Sequence, residues 1–258
     1  GRQFSNPLLG FEDYRFCENY SGYPDIETLS PNRNYSDCFF FDSILEQYKE
    51  LVNEGENVFS FNVTMQGHSP YSTEEYLFGD NWYVDKTCSN STSHILNNYL
   101  GGIADTQHYL SLFIDALRNE EHPVIVILYG DHKPWLGDNS SVTTELGIPY
   151  NTSNEAGVLN YYSTDYVIWA NKRTQEMFPG SFSGNGPTIS TCYLLPFVFE
   201  KLGWHCGFSD YLIDRMAVLN VITSKGIIYE HGKLTEQLSP DGFDALQHAN
   251  YVQFYRQK

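Results

Sequence analysis

The pattern of apolar and polar residues along the chain alternates between helical and strand-like periods. Apolar residues recur at helical spacing over Phe41–Val52, which predicts a helix. Residues Asn57–Met65 alternate and are rich in Val and Phe, which predicts a strand. Asp105 is predicted to cap a second helix. The buried face of that helix is predicted to comprise Tyr109, Leu112, Phe113, Ala116 and Leu117.

The second half of the chain continues the same alternation. The apolar run Pro123–Tyr129 is typical of a parallel strand covered on both faces. Later elements are predicted at Asp165–Ala170 (strand), Thr188–Leu202 (helix), Asp210–Leu219 (helix) and Gly226–Glu230 (a strand at a sheet edge). Pro196 is expected to kink the third helix and Gly203 to end it. The order predicts an α/β three-layer sandwich with a mostly parallel central sheet, in one domain over residues 1–258.

Composition narrows the function classes. The 258 residues include 32 acidic and 15 basic side chains, a formal charge of −17 without a basic run, which excludes a nucleic-acid partner. With 41% hydrophobic and 16% aromatic residues the chain is not a disordered acidic tail. No apolar stretch approaches the roughly 20 residues of a membrane helix. The sequence opens without a start Met or a signal-peptide pattern, so we expect a piece of a longer protein.

Histidines follow both of the clearest predicted strands. His68 comes after the first, and Asp131 with His132 comes after the second. Active sites in α/β sheets lie at the carboxyl ends of strands. One carboxylate oxygen and one imidazole nitrogen suit Zn²⁺ or Mn²⁺ better than Ca²⁺. The alternative is that Asp131 caps a turn, His132 is a solvated loop residue and His68 is structural, and spacing alone leaves this open.

Several segments in order resemble one family. The stretch from Phe59 to Tyr71, FSFNVTMQGHSPY, is similar to the F-x-x-T-x-x-x-H-x-P-Y motif of the lipoteichoic acid synthase family. The segments GGIADTQHYL at Gly101–Leu110, IVILYGDH at Ile125–His132 and LGFEDY at Leu9–Tyr14 also resemble that family. These phosphoglycerol transferases belong to the alkaline phosphatase/sulfatase superfamily. The resemblance implies that residues 1–258 are the C-terminal part of an extracellular catalytic domain, incomplete at its N-terminus.

The resemblance also implies roles for four residues. Asp131 and His132 match the pair that completes the family's metal site, for which we expect Mn²⁺, with Mg²⁺ or Zn²⁺ as alternatives. His68 matches a histidine near the bound glycerol phosphate head group. Arg2, eight residues before Gly10, matches an arginine that holds the phosphate, a task that suits a bidentate guanidinium.

The activity implied is transfer of glycerol phosphate from phosphatidylglycerol to a cell-envelope acceptor through a Thr nucleophile. In the family that Thr and an acidic metal ligand lie upstream of the point where this sequence begins. We therefore expect no catalytic nucleophile in this chain and no activity of the chain alone. The implied partners are the phosphatidylglycerol head group or a glycerol phosphate polymer, and the missing N-terminal part of the domain. The parent is expected on the extracellular face of a bacterial membrane, anchored by helices absent here, with this piece soluble.

Two alternatives stay open. The first is a sulfatase or a phosphoethanolamine transferase of the same superfamily. A sulfatase requires a C/S-x-P-x-R motif, which this sequence lacks but a preceding segment could contain. The second is a non-catalytic module that binds an anionic wall polymer. Such a module would bind glycerol phosphate in the presence of a chelator, whereas a chelator would abolish binding that depends on a metal site.

Overall fold

The computed structural model describes residues 2–15, 36–83, 87–223 and 225–256. The chain forms two compact units, each assembled from two segments. The first unit comprises Gly1–Leu117 and His132–Ser163, and the second comprises Arg118–Asp131 and Thr164–Lys258. None of the helices in the described ranges is long and apolar enough to cross a membrane.

The described part of the first unit is helical. Its helices are α1 (Arg2–Leu8), α2 (Asp37–Asn53), α3 (Asn90–Arg118, whose last residue lies in the second unit), α4 (Ser141–Glu145) and α5 (Glu155–Tyr162). Helix α2 confirms the helix predicted over Phe41–Val52 and begins earlier, because Ser36 caps it: the Ser36 hydroxyl accepts from the backbone N–H of Cys38 at 3.1 Å.

Helix α3 is much longer than predicted. It starts at Asn90, so the predicted cap at Asp105 is wrong. Gly101, in the middle of the helix, has a packing reason to lack a side chain, since a Cβ there would collide with Phe78. The predicted buried face is confirmed at Leu117, which is 2% exposed, and is wrong at Leu112, which is 53% exposed. The helical period identified an apolar stripe, but only the tertiary fold decides how much of it is covered.

Two strands of the second unit pair with each other. Strand β1 (Ile125–Tyr129) pairs antiparallel with β2 (Tyr166–Ala170). The α/β class is confirmed, but the parallel pairing that we predict for the sheet is not among the ladders of the described residues. A continuous apolar run carries no information on the direction of its partner strand. Leu128 is also 41% exposed, so β1 is not covered on both faces.

The remainder of the second unit follows the predicted order. It contains helices α6 (Lys172–Met177), α7 (Leu194–Leu202), α8 (Gly207–Val218) and α9 (Pro240–Arg256) and strands β3 (Leu219–Ile222), β4 (Ile228–Glu230) and β5 (Lys233–Thr235). Helix α7 ends at Gly203, as predicted, with a φ of 67°. Pro196 lies in its first turn, where no backbone N–H is needed, so the expected kink is wrong. Strand β4 pairs with both β3 and β5 and is therefore central rather than an edge.

The first predicted strand does not form. Residues 55–65 belong to no helix or strand, and Phe59 and Phe61 are 66% and 57% exposed. An extended segment becomes a strand only when its backbone groups pair with a neighbouring strand. The alternation of Val and Phe indicates extended backbone, but it does not supply that neighbour.

Candidate active site

His68 lies on a tight turn of the first unit. Its backbone N–H donates to the Met65 carbonyl at 3.0 Å, and its Nδ1 lies 2.6 Å from the Ser69 carbonyl oxygen. A carbonyl oxygen can only accept, so Nδ1 of the neutral ring carries the proton and Nε2 is the basic nitrogen. The side chain is exposed. The turn therefore fixes the tautomer of a histidine that solvent and solutes can reach.

His132 has the same local arrangement. Its Nδ1 lies 2.9 Å from the Lys133 carbonyl oxygen, so Nε2 is again the nitrogen without a proton in the neutral ring. Histidines that bind metals usually donate their other ring N–H to a carbonyl or carboxylate in this way. The neutral ring of His132 thus has an unprotonated Nε2, which is the form of the nitrogen that a metal ion binds.

The fold brings these two histidines together. Their ring centroids are 6.0 Å apart, and the ring planes meet at 88°. The two residues come from distant parts of the sequence that join in the first unit. Segment 57–65 is no strand, so His68 does not follow a strand end as predicted, but its ring still lies beside that of His132.

Helix α3 packs against the two segments that carry His68 and His132. Ile95 and Leu96 of α3 form a buried cluster with Val142, which is fully buried. Tyr71, three residues after His68, and Leu136, four residues after His132, pack against that cluster. Both histidines are thereby tied through short segments to one apolar core.

A small cleft lies beside His68. Its lining includes Gln66, His68, Tyr71, Phe78, Tyr99 and Gly102. The Tyr71 hydroxyl donates to the Gly67 carbonyl at 2.7 Å, and the rings of Tyr71 and Tyr99 meet edge to face at 5.7 Å.

Burial keeps the tyrosines of this cleft neutral. Desolvation, together with the neighbouring Tyr99, raises the pKa of Tyr71, and desolvation with Tyr150 raises the pKa of Tyr99. Both phenols therefore stay protonated at neutral pH and act as hydrogen-bond donors rather than bases.

Asp131 ends the first segment of the second unit. It follows β1 and Gly130, whose N–H donates to the Asp165 carbonyl at 3.3 Å. The Thr164 hydroxyl donates to the Gly130 carbonyl at 2.6 Å. These bonds fix the backbone that leads into Asp131, and the Asp131 side chain is exposed. The boundary between the two units falls between Asp131 and His132.

The donor set fits part of a metal site. Asp131 and His132 provide a carboxylate oxygen and an imidazole nitrogen, both suitable for Mn²⁺ or Zn²⁺. Within the described ranges, no group of three or more His, Cys, Asp or Glu side chains is placed to hold a metal ion. Because a structural Zn²⁺ site usually has four ligands and Mg²⁺ prefers six, two protein ligands do not complete a site. The metal site and its ion stay predictions.

Arg2 stays a prediction, and three of the residues that line the cleft are not among the predicted site residues. Arg2 begins α1, but its side chain lies outside the described residues. Gln66, Tyr71 and Tyr99 contribute to the cleft without having been selected as candidates. Tyr71 could have been found because it stands within the H-x-P-Y motif, whereas nothing in the local pattern distinguishes Gln66 or Tyr99.

Two known proteins are similar to this chain. A putative cyclic β-1,2-glucan modification protein of Rhizobium meliloti (strain 1021) is 25% identical over 182 residues, which is 67% of this chain and 27% of that protein. The solved structure of the Streptococcus pyogenes phosphoglycerol transferase GacH, in complex with sn-glycerol-1-phosphate, matches with a TM-score of 0.66 at 21% identity. That match covers 98% of this chain and 57% of the solved chain, and it shows a shared fold.

The chain thus spans 27% of the length of the curated relative. The family described as Sulfatase matches residues 2–203, most of the sequence and all of the segments that present His68, Asp131 and His132. That extent agrees with the alkaline phosphatase/sulfatase superfamily predicted from the motifs. The chain belongs to the sulfatase family.

Proposed function

We propose that this chain is part of a metal-dependent phosphoglycerol transferase, which moves glycerol phosphate from phosphatidylglycerol to a cell-envelope acceptor. The observation that carries the proposal is the pairing of His68 and His132 at 6.0 Å, each with Nδ1 held by a backbone carbonyl. A solved phosphoglycerol transferase with the same fold, named as a complex with sn-glycerol-1-phosphate, supports this substrate class.

The two histidines have different tasks in this proposal. Asp131 and His132 would hold a divalent ion, first of all Mn²⁺, which when bound supplies charge neutralisation at the phosphoryl oxygens and lowers the pKa of a coordinated hydroxyl. His68, whose ring centroid lies 6.0 Å from that of His132, would hydrogen-bond the glycerol phosphate through Nε2 or exchange a proton with a departing or attacking hydroxyl. The protonated phenols of Tyr71 and Tyr99 add donors to the same cleft. Arg2 is proposed to contact the phosphate.

The nucleophile is proposed to come from outside this chain. In the first step the nucleophile's hydroxyl oxygen forms a bond to phosphorus and loses its proton while the bond between phosphorus and the diacylglycerol oxygen breaks, and diacylglycerol leaves with that proton. In the second step an acceptor hydroxyl forms the new bond to phosphorus while the bond to the nucleophile breaks, and the acceptor's proton passes to the released nucleophile oxygen. The chain alone is therefore expected to bind glycerol phosphate and to cleave nothing.

The rest of the same domain is the proposed partner of this chain. The chain covers only 57% of the solved transferase, and Phe59 and Phe61 are strongly exposed along an extended segment that has no strand partner among the described residues. A preceding strand of the longer protein would pair with that segment and cover both rings. The longer protein is proposed to act on the extracellular face of a bacterial membrane.

Calorimetric binding of sn-glycerol-1-phosphate to the chain tests the proposal. We expect binding in the presence of Mn²⁺ and its loss with EDTA or in His132→Ala. The matched control is His248→Ala, which removes an exposed histidine on α9 whose partner is Asp244. Binding that persists in EDTA would contradict the metal site and favour a module that binds anionic polymer. Phosphodiester cleavage by the purified chain would contradict the external nucleophile.

A glucan is a second candidate for the acceptor. The relative from Rhizobium meliloti is named as a modification protein for cyclic β-1,2-glucan, and 67% of this chain aligns with it. In that case the acceptor hydroxyl belongs to a sugar rather than to a glycerol phosphate polymer. Product analysis with the longer protein distinguishes the two, because only one of the offered acceptors gains a phosphoglycerol group.

A further inference from the structure

The His68 turn is anchored by a buried side chain two residues away. Gln66 is only 5% exposed, although the flanking residues Met65 and Gly67 are exposed. Its Oε1 accepts from the backbone N–H of Asp37, at the start of α2, at 2.8 Å. Its Nε2 donates to Oδ2 of Asp105, in the middle of α3, at 2.9 Å. One amide therefore joins the turn to two helices.

Asp37, whose backbone N–H donates to Gln66, is itself buried. Asp37 is 1% exposed, and the Thr106 hydroxyl donates to its Oδ2 at 2.5 Å. Its Oδ1 is buried and has no hydrogen-bond partner in the described part of the chain. Burial, opposed by the Thr106 hydroxyl and reinforced by Asp105, raises the pKa of Asp37 to about 6. Such an arrangement is costly to build, since buried polar groups are expensive unless they are satisfied.

The opposite side of the turn is held as well. Tyr71 donates to the Gly67 carbonyl, and the His68 N–H donates to the Met65 carbonyl. The backbone on both sides of Gly67 is thus fixed, while the His68 ring stays exposed and 6.0 Å from the His132 ring. Gln66 orients the backbone from which the His68 side chain extends, and it does so from the interior of the unit.

We propose that Gln66, held by Asp37 and Asp105, is a positioning residue that sets the placement of His68 relative to His132. This inference rests on the proposed function for its ligand-binding consequence, but the placement itself is a property of the fold. A residue that only stabilised the unit would act on global unfolding. A positioning residue acts on the local order of the turn and on binding at His68 while the unit stays folded.

The test exchanges donor and acceptor across the Gln66–Asp105 bond. Gln66→Glu replaces the Nε2 donor with a carboxylate facing the Asp105 carboxylate, and these like charges push the turn away from α3. Adding Asp105→Asn restores a donor opposite the introduced carboxylate, which can still accept from the N–H of Asp37. The control Gln47→Glu changes another glutamine that donates to an aspartate, Asp13, at an exposed position.

Two readouts separate the inference from the proposed function. Hydrogen exchange of the peptide spanning residues 65–71 is expected to be about 10-fold faster in Gln66→Glu, to return in the double variant, and to be unchanged in Gln47→Glu. The affinity for sn-glycerol-1-phosphate with Mn²⁺ is expected to fall about 10-fold and to recover with the same pattern. Unchanged exchange in Gln66→Glu, or no recovery in the double variant, would overturn the inference.

Other outcomes are equally decisive. If the wild-type chain binds no glycerol phosphate, the proposed function fails, and the exchange data still decide the placement of the turn. If Gln66→Glu unfolds the chain, Gln66→Met removes both amide bonds without a new charge and must show the same faster local exchange. Exchange that rises equally across α2, α3 and the turn would mean global destabilisation and would contradict a positioning role.

Discussion

The two segments that lead to the histidines have similar sequence patterns and different structures. Strand β1 pairs with β2 along its whole length, and Gly130 extends that pairing to the residue before Asp131. Segment 57–65 pairs with no strand in the described chain, and the residues after it are held by the Gln66 side chain instead. Paired strands therefore lead to Asp131, whereas hydrogen bonds of the Gln66 side chain hold the turn that carries His68. The comparison teaches that a period-2 pattern predicts extended backbone, whereas the partner decides the structure.

Asn171, directly after β2, holds the segment that leads into β1. This residue is fully buried, its Oδ1 accepts from the N–H of Val124 and its Nδ2 donates to the Glu120 and His122 carbonyls. Asn171→Ala leaves these groups unpaired in the interior, so we expect a loss of about 3 kcal/mol or more in the free energy of unfolding. Denaturant unfolding measures it. Asn62→Ala, at an exposed position, is the control, and equal effects of the two substitutions would contradict the assignment.

The next largest effect on the free energy of unfolding is expected at Gly101 of α3. A Cβ at Gly101 meets Phe78 and Trp82, so Gly101→Ala is expected to cost about 1–3 kcal/mol in the free energy of unfolding. Gly207→Ala is the matched control, because no atom lies within 4 Å of the position its Cβ would take. Thermal unfolding of both variants checks the prediction. A Gly101→Ala protein as stable as Gly207→Ala would show that α3 can move without loss.

Asp37 gives the side-chain network a pH dependence. Its pKa is raised from 3.8 to about 6. The stability that protonated Asp37 contributes to the folded state is therefore complete below pH 3.8 and is lost as the pH rises through 6. At pH 7.5 Asp37 is a buried charge, and Asp37→Asn should stabilise the chain by about 1–2 kcal/mol. The gain should shrink towards pH 4. Urea unfolding at several pH values measures it, and a gain that is constant with pH would contradict the raised pKa.

The smallest effect is expected where the predicted strand is missing. Phe61→Ser removes a side chain that is 57% exposed, so it should change the free energy of unfolding of this chain by about 0.5 kcal/mol or less. Ile127→Ser, in the paired strand β1, should cost about 2 kcal/mol because its side chain is partly buried. Similar costs for the two substitutions would mean that segment 57–65 has a partner already within this chain.

The sequence predicts individual helices and strands, but it does not predict how the strands pair. Helices α2 and α7 and strand β2 were predicted from periodicity and from Gly203, because those signals act within a few residues. The first part of α3 depends on contacts that the local pattern does not show, since Asn97 and Asn98 are buried and bonded to backbone groups of the preceding loop. The direction of the β1–β2 pairing was missed because it depends on the returning chain.

In the candidate site, too, some residues are indicated by local motifs and others only by contacts that form in the fold. The motifs indicate His68 and His132, and the structure places their rings 6.0 Å apart, while their roles stay predictions. Gln66 was missed because its role depends on Asp37 and Asp105, which are distant in sequence and meet only in the fold. Arg2 and the completing metal ligands stay predictions.

The most direct test of a metal position beside both histidines is proton NMR of the histidine rings during Mn²⁺ addition. Paramagnetic Mn²⁺ broadens signals from nearby protons, and a ring 6.0 Å from the His132 ring is within reach. We expect the signals of His132 and His68 to vanish first, and His132→Ala to abolish the broadening at His68. Retention of the His68 signal while Mn²⁺ binds at His132, or unchanged broadening at His68 in His132→Ala, would contradict the account.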